Sequence, residues 1–289
     1  IKLWTIPDNC TTITTCTLEM RGHVKKIGRI EWHPIARGVL LSAGHDGKCI
    51  LWNTELGEKV ITLSLHRDVI FSISWCPDGR YFASTCKDKT IRVIDPRSGV
   101  VVSQGEGHLG TKSSKVIFVD DKRLFTTGFS RMSERQFALW DIKNLSKPLK
   151  SENVDSSSGI LLPYYDKDTK VMFLAGKGDG NIRFYEITDL PPYVFYLQQF
   201  QSGFPQRGLG QMPKRGVDVK RCEIVRFFKL HTNKDICEPI SMIVPRKSEV
   251  FHEDIYPPTC SSLSSCLSAS EWFGGVNKLP LLISLKVFN

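Results

Sequence analysis

An all-β chain made of repeated four-stranded sheets is the fold the sequence predicts, and three observations predict it. A Gly-His pair, a strand tryptophan, a turn aspartate and a second strand tryptophan stand at Gly22-His23, Trp32, Asp46 and Trp52. The landmarks return one unit later: His23 to His66 and Trp32 to Trp75 are each 43 residues, Asp46 to Asp88 is 42, and Ile94 takes the place of Trp52, again 42. Between them, short runs rich in β-branched and aromatic residues are bounded by turn chemistry, as at His33-Pro34, His45-Asp46-Gly47 and Cys76-Pro77-Asp78-Gly79.

A period of about 40–45 residues with these landmarks is the sign of a WD40 β-propeller, in which each blade is one antiparallel sheet. The landmarks have mechanical roles. His23, Ser42, Asp46 and Trp52 are expected to form one buried hydrogen-bond chain, in which the carboxylate only accepts, so the imidazole donates to it and passes the link to the hydroxyl and the indole. The second unit keeps His66, Ser84 and Asp88 but has Ile94 for the tryptophan, so its chain is expected to be shorter. A general base could also be built from His and Asp, yet the constellation repeats with no nucleophile beside it, which favours a structural tetrad.

Taken in order, residues 1–6 read as the tail of a preceding blade, since Trp4 lies 48 residues before Trp52. The chain is therefore expected to be a fragment. Repeats then follow at 20–62, 63–104, 105–150 and 157–190, with an irregular stretch at 191–256 that completes the blades of residues 1–256, and a C-terminal extension at 257–289 expected to pack on the propeller. In the third repeat, strands at 116–119 and 124–127 precede an enlarged hairpin that carries Arg131, Glu134 and Arg135 where the tetrad aspartate would stand; it reads equally as a binding loop or a solvated tip. In the fourth, Asp179 precedes Tyr185 by six, the interval of Asp46 to Trp52. The glycines around Asp179 do not fit a phosphate-cradling loop, because β-like residues follow them. Later strands are expected at 193–200, 222–230, 240–244, 250–255 and 281–285, with a long basic loop at 201–220 and an exposed Ser-rich loop at 257–270.

Composition limits the function classes. With 289 residues, 41% of them hydrophobic, the chain can build a large core, and a formal charge of +9 favours acidic partners. The aromatics fall at blade positions and do not interleave with Lys and Arg, which argues against nucleic acid. The nine cysteines form no CxxC pair, so neither a zinc site nor a disulfide framework is predicted, and Cys49, Cys76 and Cys86 read as core residues of a protein in a reducing cytosol. No cofactor motif and no nucleophile elbow is present, so no enzyme is predicted. No apolar run reaches membrane-spanning length.

The chain resembles the coronins, an actin-binding WD-repeat family. The resemblance rests on Trp32-His33-Pro34, Arg92-Val93-Ile94-Asp95-Pro96-Arg97, Thr126-Thr127-Gly128-Phe129-Ser130-Arg131-Met132-Ser133-Glu134-Arg135, Met212-Pro213-Lys214-Arg215-Gly216, Val244-Pro245-Arg246-Lys247-Ser248 and Glu271-Trp272-Phe273-Gly274-Gly275. It implies a seven-bladed propeller in the complete protein, of which this chain lacks the N-terminal blade and a half, binding to filamentous actin, regulation of filament turnover and of the branched-actin nucleating complex, and a place in the cytoplasm, actin cytoskeleton and cell cortex. It also implies a homo-oligomer formed through a C-terminal coiled coil that these residues do not contain. The candidate actin contacts are Lys25, Lys26 and Arg29 at the start of the first full repeat, and Lys214 and Arg215 in the basic loop. The alternative is a general scaffold whose basic loop meets peptides or the phosphoinositide headgroups of anionic membrane lipids.

Overall fold

The computed structural model describes residues 1–247, 250–261 and 265–288. It opens with an antiparallel pair, β1 (Lys2–Leu3) and β2 (Leu18–Glu19). Blade one is β3 (Ile27–Trp32), β4 (Val39–Gly44), β5 (Cys49–Asn53) and β6 (Glu58–Leu63). Blade two is β7 (Ile70–Trp75), β8 (Phe82–Cys86), β9 (Thr90–Asp95) and β10 (Val100–Glu106), and blade three is β11 (Lys115–Phe118), β12 (Arg123–Phe129), β13 (Arg135–Asp141) and β14 (Lys150–Asp155). Blade four comprises β15 (Leu161–Asp166), β16 (Val171–Gly176), β17 (Asn181–Ile187) and β18 (Val194–Gln201), and blade five has three strands, β19 (Gln206–Gln211), β20 (Glu223–His231) and β21 (Cys237–Ile243). Each blade is a meander whose strands hydrogen-bond in chain order.

Burial follows from this stacking. Every residue of β4, β5 and β8 is buried, because the middle strands of a blade are covered on both faces, whereas the outer strand β10 alternates between exposed and half-buried positions. The innermost strands touch in succession, β3 to β7 to β11 to β15. Hydrophobic clusters accordingly lie between blades. One joins Leu41 and Leu51 to Ile73, Trp75 and Phe82, another joins Phe125 and Phe137 to Leu174 and Tyr185, and a third joins Phe173 to Phe227 and Tyr256.

The second half departs from the expected boundaries. Strand β18 closes blade four, so that blade runs past residue 190, and β14 likewise carries blade three past residue 150. The expected loop at 201–220 contains β19, whose Gly208 and Gly210 hid its strand character. The expected strand at 250–255 is not formed; residues 253–255 make a turn instead. The Ser-rich stretch is not simply exposed: β22 (Thr259–Cys260) pairs with β23 (Leu282–Ile283), Leu267 is buried, and Ser268 caps a short helix, α1 (Ala269–Phe273), with a capping box to Glu271. Residues 262–264 of that stretch lie outside the described residues.

Candidate functional site

Because the strands run alternately, each blade presents two kinds of loop at opposite ends. The hairpins between second and third strands share one face, here called upper, with the connections between blades. The loops between first and second and between third and fourth strands form the lower face.

The upper end of blade one is held by the expected tetrad residues. His23 Nδ1 lies 3.0 Å from Asp46 Oδ1, His23 Nε2 lies 2.7 Å from Ser42 Oγ, and Trp52 Nε1 donates to the same hydroxyl at 2.8 Å. Asp46 further accepts from the Val24 and Lys48 amides. Burial would raise its carboxyl, but the His23 hydrogen bond and those amides outweigh it and hold the group below the usual range. All four side chains are used in fixing the turn, and none faces an open cleft.

Blade two differs from the expectation. His66 still meets Ser84 at 2.8 Å, but Asp88 does not meet His66; it accepts from Arg92 Nη2 at 2.7 Å. The physical reason is that Arg92, on β9 and 7% exposed, offers a cation where blade one has none. Burial would raise Asp88, yet Arg92 and the Thr90 amide hold it at about 2. His66 Nδ1 is left buried without a partner, and burial with Arg92 nearby lowers that imidazole to about 4, so it is neutral at pH 7.

In blade three His108 and Trp140 both bond Thr126, and Arg135 is no solvated tip. It is wholly buried, grips Asp155 through Nε and Nη2 at 2.6 Å each, and reaches across to Asp179 of blade four at 2.7 Å. Sequence reasoning missed this role because a charged hairpin predicts exposure. The only signal was that Arg135 opens a strand and falls in phase with the buried Phe137 and Leu139.

The candidate contacts fall on both faces. Lys25 and Lys26 are exposed in the upper connection before β3 and have no ion-pair partner among the described residues. Arg29 sits on the innermost strand. A bulge leaves Gly28 in β3 and Phe71 in β7 outside the ladder, and Arg29 binds both carbonyls, at 3.1 and 3.2 Å. Arg215 is exposed on the lower face. Lys214 is a correction: its Nζ donates to Asp166 at 2.7 Å and to the Ile224 carbonyl at 2.9 Å, and its side chain is 15% exposed, so it is a lower-face tie and not a free cation. Upper-face cations that the sequence reading did not single out are Lys112 and Lys177, both exposed, and Arg131 of the enlarged hairpin is likewise exposed on this face. Their place after second strands or between blades could have identified them.

The C-terminal segment lies on the lower face. Ala36 bridges Leu267, Arg97 donates to the Trp272 carbonyl and to Asn277, and Trp272 packs against His33 and Trp75. His33 is lowered by burial to about 4; its Nε2 donates to the Gly79 carbonyl and its Nδ1 accepts the Ile35 and Ala36 amides. Among the described residues no group of three His, Cys, Asp or Glu could hold a metal ion, and no helix is long and apolar enough to cross a membrane.

Successive radial sheets, with a histidine bonded to a Ser or Thr hydroxyl at the upper ends of blades one to three, define a WD40 β-propeller. Residues 14–53 and 57–95 match the WD domain, G-beta repeat, and 237–280 match another type of WD40 repeat. The WD40 domain of a Toxoplasma gondii coronin superposes with a TM-score of 0.91 at 33% identity, covering 98% of this chain and 74% of that one. Human and bovine coronin-2A are 50% and 47% identical to it over 99% of this chain. The chain belongs to the coronin family, and it spans 56% of the length of those two relatives. A chain of the mitotic checkpoint complex, 18% identical with a TM-score of 0.55 over 67% of this chain and 59% of its own, shares the fold alone.

Proposed function

We infer that this chain is the filament-contacting part of a non-enzymatic actin-regulating scaffold, and that the upper face is what meets the acidic filament. The observation that carries this reading is the asymmetry of the two faces within a coronin. On blades one and two the lower face is covered by the chain's own C-terminal segment, which bridges Ala36 and takes up Arg97, and further along that face Arg123 and Lys214 are held by Asp120 and Asp166. The upper loops present Lys25, Lys26, Arg131 and Lys177 to solvent. Exposed cations of this kind steer association with a negatively charged polymer and weaken with salt. In the longer protein a coiled coil would multiply the contacts by avidity, and regulation of the branched-actin nucleating complex at the cell cortex would follow from that assembly.

The test is charge reversal at Lys25 and Lys26 in the full-length protein, followed by co-sedimentation with actin filaments over a salt series. Weaker binding with a shallower salt dependence is expected, and unchanged binding would remove the upper rim from the contact. Flotation with anionic vesicles is the parallel arm. Loss of flotation with intact co-sedimentation would assign these lysines to lipid headgroups.

A further inference from the structure

We propose that the upper outer corner of blade two is a binding pocket for a phosphate monoester carried on an extended peptide. A cavity of about 620 Å³ opens there, lined by Arg67, Lys89 and Arg92 together with Thr90, Gln104 and Glu106. Arg67 and Lys89 are exposed and have no ion-pair partner among the described residues. With Arg92 they outnumber the two carboxylates present, Asp88 and Glu106, and leave the pocket positive. Two guanidiniums and an ammonium around one cavity suit a tetrahedral dianion, whose oxygens accept several charge-assisted hydrogen bonds at once.

The departure of blade two from blade one points the same way. Lys89 stands where blade one has Gly47, and both have a left-handed backbone, with φ of 66° and 72°. Glycine is the comfortable residue there, and blade two carries a cation instead. Arg92 has drawn Asp88 away from His66, whose Nδ1 is buried and unpartnered, whereas Asp46 remains on His23 in blade one. A phosphate that takes over Arg92 releases Asp88 to His66 and completes in blade two the chain already seen in blade one.

The shape of the occupant follows from β10. That strand pairs only with β9 among the described strands, so its outer edge offers free backbone groups, and Val100 and Val102 beside it are 56% and 50% exposed. The cavity lies at its Gln104–Glu106 end. An extended peptide added along this edge places a phosphorylated side chain in the pocket.

The experiment uses the full chain and fluorescence polarisation with a degenerate phosphoserine peptide pool and the same pool unphosphorylated. The phosphorylated pool is expected to bind at least about tenfold more tightly. Arg67→Ala and Lys89→Gly are each expected to cost about tenfold in affinity. Lys89→Gly restores the residue of blade one at that turn, so a fall in binding with an undiminished melting temperature reports the lost cation and not a damaged fold. The imidazole NMR signals of His66 should move as the phosphorylated pool is added, which a surface attraction would not cause. Equal binding of both pools, affinity unchanged in Lys89→Gly, or capture by phosphoinositide vesicles without any peptide binding would overturn the proposal.

Discussion

Replacing Arg135 with methionine removes a buried cation from between two blades, and its cost can be worked from the contacts. The side chain is 1% exposed, makes both hydrogen bonds of a forked pair with Asp155, donates to the Gly159 carbonyl and touches Asp179 at 2.7 Å. Methionine fills much the same space but leaves Asp179 without its cation and Asp155 with Arg183 alone, at 2.8 Å. Breaking a buried pair costs roughly 3–5 kcal/mol. The lower half of that range applies, because Asp155 is 23% exposed and keeps one partner. At this chain length the melting temperature should drop by about 5–10 °C. Burial would raise Asp155, but Arg135 and the Ser157 amide hold it at about 2, against an ordinary value of 3.8. A depressed carboxyl contributes fully above its unfolded value, and the contribution disappears as pH falls through the folded one. The gap between parent and variant should therefore be full at pH 7 and narrow as pH falls from about 4 towards 2. Urea midpoints at both ends of that window are the assay. A variant as stable as the parent at neutral pH, or a gap indifferent to acid, would refute the reasoning.

Two further changes test packing and the electrostatics of the innermost strands. A Cβ on Gly159 would lie 1.8 Å from the Lys177 carbonyl oxygen, so Gly159→Ala must displace backbone and should cost about 1–3 kcal/mol by thermal melting; an unchanged melting temperature would show that the turn yields freely. Burial pushes Glu31 up to about 7, against the Trp75 amide and Arg29. The folded chain thus holds an extra proton between about pH 4.5 and 7 and loses stability as pH rises through that window, on the order of 1–3 kcal/mol in all. Glu31→Gln should flatten melting temperature against pH there, and parallel curves for parent and variant would sink the assignment.

The first half of the fold was legible because each blade repeats one period and its middle strands are continuous apolar runs. Strand β5, for example, carries Trp52, the landmark that marks a third strand in the repeat. Beyond residue 190 the period gives way to other forces. Strand β19 contains two glycines and no apolar alternation, and it forms because β20 supplies a ladder. Leu267, Ala269 and Trp272 are buried by blades one and two, a tertiary contact that no local pattern announces. The candidate contacts were half legible. Charge picked out Lys25 and Lys214 alike, but only the fold shows that one faces solvent and the other is bound by Asp166.

The tetrads change in a graded way around the arc, and the change relocates the ties. Blade one keeps the whole chain inside a single sheet. Blade three keeps His108, Thr126 and Trp140, and Gln136 takes up the histidine where the carboxylate is missing. In blade four the connection from Asp155 to Ile160 contains no histidine, and Asp179 turns to Arg135 of the preceding blade. A carboxylate that can find no imidazole in its own sheet is costly to bury unpaired, so it recruits a cation from the next one. Blades three and four are thereby coupled by an ion pair as well as by apolar contact, while blades one and two are joined by apolar contact around Trp75, Phe82 and Trp272 and by the hydrogen bonds of Arg29 to the Phe71 carbonyl and of the Trp75 amide to Glu31. Local opening should therefore begin away from the Arg135 pair, which leaves the upper loops of blades one and two, with Lys25, Lys26 and Lys89, on the part of the arc freest to adjust to a partner.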